Sequence, residues 1–279
     1  MFQTLTRSWE FAKLSYRTVL DHKHLILFPI FSTLATVLVV ASFGIPLWSS
    51  GQIDTWMNET NQGAASNDPG IYITLFLFYF CNYFVIVFFN TALIASTMNI
   101  MENKEGSIGF GISFAMKRIH SIFGWALVSA VVGVILKTLE RNEKIGRFVV
   151  SLIGSAWTAL AFFVIPVIVT DGVGPIEAFK RSVKTLKSTW GTALMGNFSM
   201  GFIGLLVVLP IILLGAALWF FVSPVAAIAV AVPLFFLAAS ITGAADAIFK
   251  AYLYTYATGR ALPEEVDPSL MRDAFRSRS

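Results

Sequence analysis

The sequence predicts an all-α polytopic membrane protein, with six transmembrane helices forming three hairpins, each preceded by an amphipathic helix lying on the cytoplasmic membrane surface. Three observations carry that prediction. Of the 279 residues, 56% are hydrophobic and only 13% charged, against roughly 25% charged in an ordinary soluble domain. The apolar residues come in blocks near the length of about 20 helical residues that spans a hydrocarbon core about 30 Å thick. A basic segment with helical periodicity precedes each pair of blocks. In the clearest copy, 174–190, Ile176, Phe179, Val183, Leu186 and Trp190 recur every three or four positions, with Glu177, Lys180, Arg181, Lys184 and Lys187 on the other side. That is the pattern of a helix on a membrane surface.

The first leader has Leu5, Trp9, Ala12, Tyr16 and Val19 as its apolar stripe, with Arg7, Glu10, Lys13 and Arg17 on or near the polar side. Span one follows at 25–48, with Pro29 in its first turns, where a missing amide hydrogen is tolerated. Residues 49–70 carry Asp54, Glu59 and Asp68 and no Lys or Arg, and read as an acidic polar loop. Span two, 71–98, is rich in aromatic residues. The second leader presents Ile108, Ile112, Ala115, Ile119 and Ile122 beside Lys117 and Arg118. A short span three at 123–136, a charged turn at 137–147 and span four at 148–170 come next. The third leader then precedes spans five, 192–221, and six, 225–256. These elements divide into one membrane domain, 1–260, of three units, about 1–100, 101–172 and 173–260, followed by a polar cytoplasmic tail at 261–279.

Charge sets the expected orientation, because Lys and Arg accumulate on the cytoplasmic side. All but four of the 20 Lys and Arg residues fall on the leader side of six spans. The protein is therefore expected in the cell membrane with both termini cytoplasmic. The four exceptions, Lys137, Arg141, Lys144 and Arg147, sit in the turn between spans three and four, which leaves a re-entrant hairpin open there as an alternative to two crossings. No small-residue cleavage site precedes a short apolar region, so span one is expected to direct insertion. The leader cations Arg7, Lys13, Arg17, Lys117, Arg118, Lys180, Arg181, Lys184 and Lys187 are the expected contacts to anionic lipid headgroups, each worth about 1 kcal/mol at such a surface.

Four residues are candidates for a polar site within the membrane. Asp246 and Lys250 stand at i and i+4 on one helix face in the favourable order, and ionisable groups in spans are costly enough to mark ion or substrate paths. Asn90 and Thr97 share a face of span two, where polar groups ordinarily bond between helices. Pro166, Pro210 and Pro233 are expected to bend their spans. The single cysteine, Cys81, excludes an intrachain disulfide. His22, His24 and His120 have no metal-ligand spacing, and the chain carries no nucleophile elbow and no phosphate loop. No metal, cofactor or nucleic-acid partner is expected.

The stretch 162–191, with AlaMetLysArgIle at 115–119 and IleGlySerAlaTrp at 153–157, resembles a family of uncharacterised six-helix integral membrane proteins from bacteria and archaea. More distantly it resembles the membrane domain attached to some bacterial glycerophosphodiester phosphodiesterases. The resemblance implies a prokaryotic membrane location and supplies no catalytic residue. The expected function is a noncatalytic membrane scaffold or accessory protein, partnered by lipids and by a second copy or another membrane protein. The alternative is a transporter or channel for a lipid or small amphiphile, built on Asn90, Thr97, Asp246 and Lys250.

Overall fold

The computed structural model describes residues 2–61, 69–140 and 147–260, and over those residues the protein is an all-α polytopic membrane protein. Six helical segments are long and apolar enough to cross a bilayer: Lys23–Ser49, Pro69–Met101, Ile119–Glu140, Phe148–Asp171, Met200–Phe221 and Pro224–Ala257. The proposed tail at 261–279 and the turn residues Arg141 and Lys144 lie outside the described residues.

The first leader is helix α1, Phe2–Asp21. A short 3-10 turn, Lys23–Ile26, joins it to α2, Leu27–Ser49. The expected acidic loop contains a helix, α3, Gln52–Asn61. Gly51 adopts a left-handed φ of 70° that ends α2 and turns the chain, as a residue without a Cβ does cheaply, and Asp54 then lies in the first turn of α3, favourably placed for the helix dipole.

Span two is α4, Pro69–Met101, and the second leader is α5, Ile108–Lys117. Span three is α6, Ile119–Glu140, longer at both ends than the expected 123–136. Its far end continues through a Lys137–Glu140 ion pair at 2.9 Å, spaced i to i+3 so that the charges stabilise the last turn. With 22 residues, α6 has the length that the re-entrant alternative denied it.

α5 and α6 run back along α4. A Cβ on Gly111 would stand 2.5 Å from Ala92 O, and one on Gly133 would lie 3.5 Å from both Tyr79 and Tyr83. Between these points Phe123 packs edge-on against Phe80 at 4.9 Å. Ser107 caps α5 by accepting from Phe110 N. Ser96 Oγ donates to Ser107 O, Asn99 Nδ2 to Glu105 O and His24 Nε2 to Gly106 O. These bonds tie the reversal to the end of α4 and to the first leader's exit, and satisfy the carbonyl of the buried Gly106.

Span four breaks into α7, Arg147–Leu160, and α8, Val164–Asp171. Pro166 removes the amide that would bond Phe162 O and crowds that carbonyl. Ser182 bridges the break from another helix, donating to Leu160 O at 2.7 Å and accepting from Phe163 N at 3.0 Å.

The third leader and span five are one continuous helix, α9, Pro175–Phe221, of 47 residues. At 1.5 Å per residue this is about 70 Å long. A lone glycine such as Gly191 costs about 1 kcal/mol and does not end a helix, so the leader continues into its span. A turn at Val222 and Ser223 leads to α10, Pro224–Ala257.

The core lies at one end of the bundle. Phe11, Val19, Leu25, Phe28, Leu93, Ile94, Ile122, Phe163, Ile168, Ile248, Phe249 and Leu253 are fully buried there, where the leaders, α8 and the last turns of α4 and α10 gather. This is the basic end. Toward the other end the helices present apolar side chains outward, among them Leu38 and Trp48 of α2, Leu213 and Phe220 of α9 and Val225 and Leu237 of α10.

Candidate functional site

A chamber of about 520 Å³ lies where the buried core meets this exposed belt. α4 contributes Tyr83, Val87, Asn90 and Ile94 to its wall, α6 Trp125 and Ser129, and α10 Gly243, Asp246, Ala247 and Lys250. The broken fourth span closes it with Trp157, Thr158, Phe162, Ile165 and Pro166. The break positions Phe162 in the wall, and Trp125, Trp157 and Phe179 form a three-ring cluster with centroid spacings of 5.5, 5.2 and 5.9 Å.

The sequence candidates divide. Asn90, Asp246 and Lys250 share the chamber. Thr97 does not; it is fully buried and donates to Leu93 O, four residues back on its own helix. Lys250 Nζ lies 2.6 Å from Asp246 Oδ2 and 5.4 Å from the Phe162 ring centroid. The two side chains keep 30% and 36% of their exposure, so each charge has a partner and an open side. Asn90 donates Nδ2 to Ile86 O, leaving its side-chain oxygen as an acceptor.

Sequence reasoning missed Ser129, which is 4% exposed, lines the chamber and has no hydrogen-bond partner among the described residues. A small hydroxyl in an apolar helix gives no periodic signal. It also missed Tyr83 and the tryptophan pair. Behind α10, the Tyr16 and Thr242 hydroxyls face one another, buried and outside strict hydrogen-bond geometry, and burial pushes the Tyr16 phenol up.

The expected headgroup cations fall into two groups. Lys13, Lys117, Lys180, Lys184 and Lys187 are exposed at the basic end; Lys13 also pairs with Glu10 at 3.1 Å. Arg17 is exposed like the lysines, whereas Arg118 and Arg181 are held more tightly. Arg17 lies 3.6 Å from Asp21, and Arg118 stands over Phe114 at 5.5 Å with its guanidinium against the left-handed Gly172. Arg181 bonds both Glu177 at 2.9 Å and Asp171 at 2.7 Å, which raises its pKa further. Arg260 shares Asp171 at 3.2 Å, tying the end of α10 to the turn between α8 and α9. The Arg7 side chain lies outside the described residues. No group of three His, Cys, Asp or Glu residues able to hold a metal occurs among the described residues.

Fold and site together define a helical membrane protein with a chamber, carrying an acid–base pair in a largely apolar wall, where its exposed apolar belt meets the buried core. Residues 70–262 match DUF6159, a family of unknown function, and the chain belongs to that family. All the residues lining the chamber fall inside the matched segment. No curated protein and no solved structure matches the chain.

Proposed function

We propose that the protein binds a lipid or small amphiphile, taking its headgroup into the chamber from the leaflet at the basic end as the first step of transport. The observation that carries this reading is the chamber's place along α10. There the exposed apolar residues Val225 to Leu237 give way to the largely buried run from Ala244, and Asp246 and Lys250, half-exposed, stand in the first two turns of that run and line the chamber. An amphiphile bound there has polar partners for its headgroup and apolar surface for its tail. The exposed lysines at the same end favour an anionic leaflet, and the charge bias supports a cytoplasmic position for that end.

Lipid extraction from purified protein tests the reading. Wild type is expected to retain about one tightly held amphiphile per chain, and Ser129→Trp, which fills the chamber, to lose it. Equal retention by the two, with both monodisperse, removes the chamber as the binding site.

The scaffold reading has its own support. None of residues 201–221 of α9 is buried, so that half of the hairpin offers wide apolar surface to another membrane protein or a second copy. A defined multimer in mild detergent that is broken by Leu213→Lys would favour it.

A further inference from the structure

Resting on the amphiphile reading, we infer that the chamber selects a zwitterionic headgroup joining a phosphate to a primary ammonium. The wall carries one cation and one anion, Lys250 and Asp246, already bonded to each other at 2.6 Å. An anionic headgroup that takes Lys250 leaves Asp246 without its partner, and a cationic one that takes Asp246 strands Lys250, so either loses the pairing the two half-exposed charges now share. A zwitterion exchanges the internal pair for two external ones and strands neither.

The remaining polar groups favour the same ligand. The Asn90 side-chain oxygen has no protein donor among the described residues and matches an ammonium N–H, as does the unpartnered Ser129 hydroxyl. The Phe162 ring, which Lys250 faces at 5.4 Å, offers its π-face to a cation once the lysine swings to a phosphate. A quaternary ammonium has no N–H for Asn90, so the primary amine is preferred. The same phosphate–ammonium chemistry exists in free phosphoethanolamine, but the exposed apolar belt beginning at the chamber assigns the ligand to a lipid.

The test is competition on the full chain in detergent, read by native mass spectrometry with phosphatidylethanolamine, phosphatidylcholine, phosphatidylglycerol and free phosphoethanolamine. Wild type is expected to hold phosphatidylethanolamine about tenfold more tightly than the other lipids, a difference the loss of one charged contact readily gives. Lys250→Gln should lose that preference, and Asp246→Asn should turn it toward phosphatidylglycerol. The double variant Asp246→Asn/Lys250→Gln keeps the site neutral, guards against misfolding of the single variants, and should bind the lipids without preference. If wild type holds all three lipids equally while Ser129→Trp or Asn90→Leu releases them, the zwitterion assignment falls and the amphiphile reading stands. If the filled variants keep their lipid, both fall. Equal affinity for free phosphoethanolamine overturns the lipid assignment.

Discussion

Ser182 shows how one side chain can hold together two elements that its own sequence neighbourhood does not suggest. It is fully buried and supplies two hydrogen bonds at the break in span four, to Leu160 O and from Phe163 N. A buried polar group left without a partner costs about 1–3 kcal/mol. Ser182→Ala is therefore expected to lower stability by about that amount, read as the midpoint of thermal unfolding in detergent. An unchanged midpoint would mean the break is held by packing alone. Asp246 and Lys250 were visible in the sequence because an acid and a base four residues apart in an apolar helix are rare. Ser129 and Ser182 were not, because a serine carries no hydropathy signal and its role depends on a helix elsewhere in the chain.

Helices in this protein dock through small residues, which explains where the apolar stripes misled. On α1 the buried face is Phe11, Ala12, Ser15 and Val19, with Ser15 bonding Phe11 O and Thr18 reaching the Tyr252 hydroxyl at 3.0 Å. On α5 it is Gly111 and Ala115, and on the leader part of α9 it is Ala178, Ser182 and Leu186, while Ile176 of the expected stripe is 57% exposed. Small residues let helix backbones approach closely where lipid supplies no hydrophobic contrast. A periodicity argument built on bulky residues finds each helix but turns it by part of a face. The same rule governs the far hairpin, where Gly204 meets Thr242 and Gly215 meets Ala231. Two glycines of α5 separate packing from propensity. Gly111→Leu must displace the α4 backbone and is expected to abolish monodisperse protein. A Cβ on Gly109 meets open space, so Gly109→Ala should stabilise by up to about 1 kcal/mol. Size-exclusion profiles and unfolding midpoints read the pair; similar behaviour of the two would refute the docking of α5 on α4.

At the scale of the molecule, the number and order of spans were legible because each needs about 20 apolar residues, a signal that survives errors of several positions at either end. The gathering of the core at the basic end was not legible, since it depends on α4, α9 and α10 being longer than a bilayer requires. The 33, 47 and 34 residues of these helices correspond to about 50, 70 and 51 Å. Their extra length builds the end that holds the chamber. Six crossings put the turn at 137–147 on the side opposite that end. A reporter fused at Asn142 is expected to give the exported signal, and one at Thr258 the cytoplasmic signal; the same signal from both would contradict the arrangement.

Cryo-microscopy of the full chain in lipid nanodiscs tests the central claim most directly. The account predicts headgroup density between Asn90 and the Asp246–Lys250 pair, with a tail leading into the apolar half. A chamber without lipid density, beside well-ordered lipid around the outer belt, would contradict it.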